Sequence, residues 1–303
     1  MVMLMGSTGY IGRQFLYELE KQGKEIYTLS RTDVDYYKFD LLKNILDTYK
    51  PDFLINCAGY TGKPNVDACE LHKDEADRAN VNLPRIIAKA CEITNTPWGH
   101  VSSGCIYTGD NGGKGFTEED APNFSFDHGN CSYYSGTKVL GEEAIKEVGG
   151  DYYIWRLRIP FDQYDSPRNY LSKIINYDTL LNADNSISHR ADFAKYCISL
   201  WSKKCDYGIY NVTNTDAITT EQVTKEINKI LKLNKNFEFF RDEEQMYEFA
   251  AKTPRSNCTL DNSKLRNTGI RVRKALTAIR SALKSWEPEE TNADSSIDKS
   301  FWK

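Results

Sequence analysis

The chain opens on an apolar run, Met1-Val2-Met3-Leu4-Met5, which breaks at once into Gly6-Ser7-Thr8-Gly9-Tyr10-Ile11-Gly12. Apolar positions then recur at helical spacing, with Phe15, Leu16 and Leu19 on one face. This pattern predicts a buried strand, a glycine-rich turn and an amphipathic helix. The alternation continues: residues 25–29 read as a second strand, 37–39 as a short third one, 40–49 as a helix and 52–56 as a fourth strand. A loop over 60–67 precedes a long helical stretch, 68–94, with Ala79, Leu83, Ile86, Ile87 and Ala90 at three and four spacing. Pro84 should bend or divide it. Residues 98–102 form a fifth strand, 133–148 a helix and 152–158 a further strand. Strands that alternate with helices in this way specify an α/β fold with a parallel, doubly wound sheet.

Beyond Pro160 the pattern loosens. Helices are expected at 168–177, 190–202, 219–231 and 272–286, with a late strand at Gly208-Ile209-Tyr210-Asn211-Val212. The expected organisation is a Rossmann-type nucleotide-binding domain over 1–160, to which 190–213 return. A smaller substrate-binding lobe occupies most of 161–287, and the polar residues 288–303 form a disordered tail.

The 303 residues carry a net charge of −4, with no basic field of the kind that holds nucleic acid. No apolar run reaches the length needed to span a bilayer, and the first five residues are too short and uncharged for a signal peptide. The eight cysteines include no CxxC pair, which indicates reduced thiols in a cytoplasmic protein, and the four histidines lack ligand spacing, so no metal site is expected. The acidic run Glu118-Glu119-Asp120 reads as a solvated face.

Candidate chemistry begins at the glycine turn. Gly6, Gly9 and Gly12, with Thr8, Tyr10 and Ile11 between them, would let a pyrophosphate approach the N-terminus of the first helix. The second strand is followed by Ser30-Arg31 where an NAD-preferring fold usually has an acidic residue. Arg31 would suit a 2′-phosphate, so NADPH is favoured, with NADH as the alternative; a merely solvated arginine is the bland reading. Asp40, Leu41, Ala58, Gly59, Thr61 and Asn80 complete the candidate cofactor contacts, the small residues 58 and 59 by allowing close approach. Tyr134 and Lys138 stand at i and i+4 on one helix face, where the lysine would favour the phenolate, lower the tyrosine's pKa and reach a cofactor ribose. Ser103 is the natural third member, with Ser102 as competitor because neighbouring strand residues face opposite ways. Cys105, two residues on, is equally a buried structural thiol or a thiolate base.

In their order, the GxxGxxG turn, Asn56-Cys57-Ala58-Gly59, Ser103 and the YxxxK pair resemble the extended short-chain dehydrogenase/reductases. More narrowly, the chain is similar to the bifunctional nucleotide-4-keto-6-deoxyglucose 3,5-epimerase/4-reductases of rhamnose synthesis, whose plant forms act on the UDP sugar. The matching segments are residues 58–67, Gly104-Cys105-Ile106, residues 115–124, Pro167-Arg168-Asn169 and Pro254-Arg255-Ser256-Asn257. The resemblance implies a reductase triad of Ser103, Tyr134 and Lys138, Cys105 as epimerisation base, and Lys173 as the acid on the other face of the sugar. Arg158, Asn169 and Arg255 would contact a nucleotide-sugar substrate, Arg255 at its diphosphate. The GDP-fucose-forming epimerase/reductases share a Ser-x-Cys pair, whereas single-function dTDP-4-dehydrorhamnose reductases carry an aromatic residue at the Cys105 position; both remain alternatives, as does a non-catalytic NADP-binding regulatory subunit. The superfamily's habit of pairing through two long helices implies a homodimer. Two departures stand out: the plant proteins have Thr where Ser103 stands and Lys where Gly136 stands.

Overall fold

The computed structural model describes residues 1–63 and 65–287; the expected disordered tail, 288–303, lies outside the described residues. The wholly buried strand β1 (Val2–Met5) pairs in parallel with β2 (Ile26–Leu29) on one side and β3 (Phe53–Asn56) on the other. With β4 (Trp98–Ser103), β5 (Tyr152–Leu157) and β6 (Gly208–Asn211) the sheet has six strands in the order β2-β1-β3-β4-β5-β6, parallel throughout. The chain leaves β1 on one side and resumes at β3 on the other. The crevice beyond the carboxyl ends of these strands is where such sheets take their ligands.

Both faces are covered because successive strand residues point to opposite sides. Val2, Leu4, Phe53 and Trp155 pack against Phe15 and Leu19 of α1 (Tyr10–Lys21) and Phe193 and Cys197 of α8 (Arg190–Ser202). Met3, Met5, Leu54 and Ile154 pack against Leu42 and Leu46 of α2 (Phe39–Tyr49), Ile87 of α5 (Leu83–Ile93) and Ile145 of α6 (Tyr133–Val148). A third core joins Phe161, α7 (Tyr170–Asn176) and the helices Thr220–Leu231 and Ala275–Lys284 into the smaller lobe.

Three expectations are corrected. Residues 37–39 are not a strand: Lys38 N–H bonds the Asp35 carbonyl at 2.9 Å, Tyr36 packs on Tyr37 and Arg78 lies over the Tyr37 ring, so the segment turns and β2 remains the sheet edge. The long stretch 68–94 divides, but not at Pro84, which sits harmlessly in the first turn of α5. It breaks at His72, between α3 (Ala68–Leu71) and α4 (Lys73–Asp77), and widens into a π-helical turn at Arg78–Asn82. Glu118 is buried and accepts the Asn211 N–H at 2.7 Å, so it finishes the end of β6 where a solvated carboxylate was expected.

Beneath the carboxyl ends of β4 and β5 lies a buried ion pair. Arg156 of β5 meets Glu142 of α6 at 2.8 Å, with side chains only 1% and 2% exposed. Ser102 donates to the same carboxylate at 2.6 Å, and Arg156 also donates to the Tyr107 hydroxyl at 2.9 Å. Burial alone would raise the Glu142 carboxyl, but Arg156 and Ser102 outweigh it and hold it below the ordinary carboxylate range. Removing one charge strands the other in a dry site. Glu142→Gln should therefore cost about 3–5 kcal/mol in urea unfolding at neutral pH, and a loss below about 1 kcal/mol would contradict this account of the pair.

Candidate active site

The dinucleotide turn is built so tightly that side chains would fill it. Gly6 has φ +73°, and a Cβ there would lie 2.6 Å from the Ala58 nitrogen. A Cβ on Gly12 would come 2.0 Å from the Gly6 carbonyl oxygen. Gly9 precedes α1 and supplies no side-chain cap, which leaves the helix N-terminus open to an anion. Thr8 is exposed and Tyr10 and Ile11 are half-buried beside it. After β2, Ser30 bonds Asp33 through both N–H (2.9 Å) and hydroxyl (2.7 Å), and this turn presents Arg31 to solvent. Asp40 and Leu41 lie exposed in the first turn of α2. A bare glycine cradle facing an uncapped helix end, flanked by an exposed guanidinium, fits a dinucleotide.

Across the switch point, a Cβ on Gly59 would meet Asn80 Oδ1 at 3.2 Å and Lys138 Nζ at 3.6 Å. Asn80, expected against the cofactor, spends its amide on protein. Its Oδ1 accepts Tyr60 N–H at 2.9 Å, and its Nδ2 donates to the Tyr60 carbonyl at 2.8 Å and to Thr137 Oγ1 at 3.1 Å. The π-turn thus ties the loop after Gly59 to α6.

Tyr134 and Lys138 lie buried near the capped start of α6, where Ser132 Oγ accepts Ser135 N–H. Burial, opposed by Glu142, brings the Lys138 ammonium down to about 8. Tyr134 moves opposite to expectation. Burial and then the Cys105 sulfur push its phenol above the ordinary value, against the Ser103 hydrogen bond and Arg158. Lys138 Nζ, 6.0 Å from the centre of the Tyr134 ring, does not reverse this. The two serines diverge: Ser102 turns down to Glu142, while Ser103 lies on the Tyr134 side and accepts the Cys105 N–H at 3.1 Å.

Cys105 meets Arg158, whose Nη1 donates to its Sγ at 3.2 Å. Arg158, expected against substrate, is buried and also donates through Nη2 to Asn185 Oδ1 and to the Ser256 carbonyl. Asn169 has a different task from the one expected. It is fully buried, its Oδ1 caps α7 at Leu171 N–H, and its Nδ2 donates to Asp162 and to the Tyr164 carbonyl. Arg255 forms a two-pronged pair with Asp67, both contacts at 2.7 Å. Arg168, the neighbour of Asn169 and given no role by its sequence, donates to Thr61 Oγ1 at 3.1 Å and to the Gly62 carbonyl at 3.2 Å. Lys173, on α7, is brought down to about 8 by burial and then by Arg168 and Arg255. Sequence reasoning missed Asn185, Ser256, Asp67 and Glu142, and no local spacing marks them; each acquires its role through a partner distant in sequence. Gly136 has a steric reason: a Cβ there would lie 2.3 Å from the ring of Phe126, which also packs on Tyr133.

A doubly wound sheet with this cradle, and a serine near a buried tyrosine that shares its helix face with a desolvated lysine, defines a Rossmann-type reductase. The chain belongs to the family described as the RmlD substrate binding domain, whose model matches residues 1–287. It is 32% identical to an Arabidopsis thaliana protein named bifunctional dTDP-4-dehydrorhamnose 3,5-epimerase/dTDP-4-dehydrorhamnose reductase, over 87% of this chain and 86% of that one. It is 33% identical to a trifunctional UDP-glucose 4,6-dehydratase/UDP-4-keto-6-deoxy-D-glucose 3,5-epimerase/UDP-4-keto-L-rhamnose-reductase of the same plant, spanning only 39% of that longer protein. Among solved structures it superposes on a UDP-rhamnose synthase of Acanthamoeba polyphaga mimivirus with a TM-score of 0.84 and 25% identity, covering 94% of this chain and 98% of that one.

The depressed lysine has a consequence for stability. Lys173 sits at about 8 in the folded protein against an ordinary 10.5, so the unfolded chain binds the proton more tightly between these values. Stability should therefore rise with pH across that window, and Lys138 adds to the same slope. In urea midpoints measured across that window, Lys173→Met should flatten part of the rise; an unchanged slope would mean that Lys173 is not desolvated.

Proposed function

We propose that this chain inverts carbons 3 and 5 of a nucleotide-linked 4-keto-6-deoxyglucose and then reduces its 4-keto group, giving the L-rhamnose nucleotide. The observation that carries the reading is the juxtaposition of the Cys105 sulfur with Tyr134 and its partner Ser103. Reduction alone needs only the serine, tyrosine and lysine. A sulfur beside the group that holds the 4-keto oxygen suits removal of the protons that this ketone acidifies. Relatives named for epimerisation and reduction of UDP and dTDP sugars support it, and the UDP sugar is the preferred substrate class.

The turn at Gly6, Gly9 and Gly12 would hold the pyrophosphate of NADPH, with Arg31 at the 2′-phosphate and Lys138 at the ribose; NADH is the alternative. When bound, this cofactor supplies hydride to carbon 4. Cys105 takes the proton from each epimerised carbon, while Ser103 and Tyr134 stabilise the enolate oxygen by hydrogen bonding. Lys173, able to lose and regain a proton near neutral pH, returns one from the opposite face. Tyr134, with its phenol kept protonated by burial, then protonates the oxygen on carbon 4. Arg168 and Arg255 lie near Lys173 and would meet the diphosphate. That same grouping favours a second reading, a 4-reductase without epimerase activity in which Lys173 is only one more cation at the diphosphate.

Cys105→Ser should abolish deuterium incorporation at carbons 3 and 5, followed by NMR, while reduction of an already epimerised keto sugar continues. Persistent exchange would assign the base elsewhere, and absence of NADPH oxidation by the unaltered protein with either UDP or dTDP keto sugar would remove the enzyme reading altogether. Arg31→Ala should raise the KM for NADPH about tenfold, the effect of losing one charge-assisted contact, and leave the KM for NADH nearly unchanged. Equal effects on both cofactors would place Arg31 away from the 2′-phosphate.

A further inference from the structure

Two buried arginines lie two residues apart at the end of β5, and they differ in their partners. Arg156 is neutralised by Glu142. Arg158 is 3% exposed and, among the described residues, no carboxylate pairs with it. The groups that face it are the Cys258 and Cys105 sulfurs and the phenols of Tyr134 and Tyr170. A guanidinium cannot shed its proton, and buried without an anion it is costly. Cys258 directs its own S–H to the Gly104 carbonyl at 3.3 Å, whereas Cys105 Sγ accepts from Arg158 Nη1.

The surroundings fix that pairing. Asn185 Oδ1, at 2.6 Å, and the Ser256 carbonyl anchor Nη2 from two separate segments, leaving Nη1 aimed at Cys105 Sγ. Gly104 keeps the approach open: a Cβ there would lie 3.3 Å from Arg158 Cδ and 2.6 Å from Leu260 Cδ1. The next residue, Ile159, has φ +38°, a left-handed conformation that a β-branched residue rarely adopts. Strain of this kind persists only where surrounding contacts impose it, and here it turns the chain immediately after Arg158.

We propose that Arg158 is the positioning residue for Cys105: its guanidinium, anchored by Asn185 and Ser256, fixes the direction of the sulfur and supports it as base, so that this pair governs epimerisation. The proposal rests on the reading of Cys105 as the epimerisation base. Tyr134 and Lys138 also face Cys105, so the neighbouring charges are not Arg158 alone.

The test uses the full chain and two variants, Arg158→Met, which removes the charge, and Arg158→Lys, which keeps it but loses the planar fork. Alkylation by iodoacetamide at pH 7 is followed at Cys105 by peptide mass spectrometry, which separates it from the seven other cysteines. Deuterium exchange at carbons 3 and 5 of the keto sugar is measured in parallel, and circular dichroism checks folding. Arg158→Met should slow Cys105 alkylation about tenfold, as expected when a neighbouring cation is withdrawn from an attacking sulfur, and exchange should fall with it. Arg158→Lys should stay within about threefold of the original alkylation rate yet lose at least about tenfold in exchange, because one ammonium cannot reproduce the fork held by Asn185 and Ser256. A folded methionine variant that alkylates at the original rate overturns the proposal, as does a lysine variant with full exchange; if the methionine variant does not fold, the lysine variant decides. Should the unaltered protein alkylate rapidly, depend on Arg158 for it, and still show no exchange, the pairing of Arg158 with Cys105 stands and the epimerase reading falls. Exchange in the unaltered protein together with alkylation indifferent to Arg158 does the opposite: the epimerase reading stands and the pairing falls.

Discussion

Two opposite charges buried where α6 crosses the sheet hold the site together. Glu142 lies one helical turn beyond Lys138, and its carboxylate gathers Arg156 from β5 and Ser102 from β4. Gly141 lets the same helix press against the π-turn, since a Cβ there would lie 2.1 Å from the Asn80 carbonyl oxygen. The pair therefore sets the height and rotation of the helix that carries Tyr134 and Lys138. It also acts electrically, because Glu142 opposes the burial that draws Lys138 towards neutrality. One interaction thus places the helix that carries Tyr134 and tunes its lysine.

Hydrophobic spacing was enough to read the centre of the sheet, because β1 and β3 are largely apolar runs that are buried on both faces. It misled at 37–39, where aromatic residues suited to a strand instead pack on one another and on Arg78. Type and order marked Ser103, Tyr134 and Lys138 as candidates. The choice between Ser102 and Ser103 was not legible, since period two says that they diverge without saying which meets the helix; a carboxylate forty residues later decides it. The partner of Cys105 lies 53 residues away, and Arg255 and Asp67 are 188 apart. Charge alone pointed Arg255 at a diphosphate, although the structure first commits it to an aspartate. Asn169 shows a related limit. A polar residue in a recognisable motif is as readily a helix cap as a ligand, and only its fully used amide distinguishes the two.

The two lobes are tied across the cleft by their cations. Arg168 reaches Thr61 and Gly62, and Arg255 reaches Asp67, so these two arginines of the smaller lobe grip the loop that follows β3. Burial would raise the Asp67 carboxyl, but Arg255 and Thr253 outweigh it and keep it ionised. Lys173 is set among these charges, and their repulsion adds to burial in easing its proton away.

Gly136 carries a consequence for how such a chain can diverge. The ring of Phe126 occupies the volume that any side chain at 136 would need, while it also rests on Tyr133, the neighbour of the proposed acid. Positions 126 and 136 therefore share one volume. A side chain at 136 would have to push the half-exposed Phe126 ring aside, and with it the packing on Tyr133.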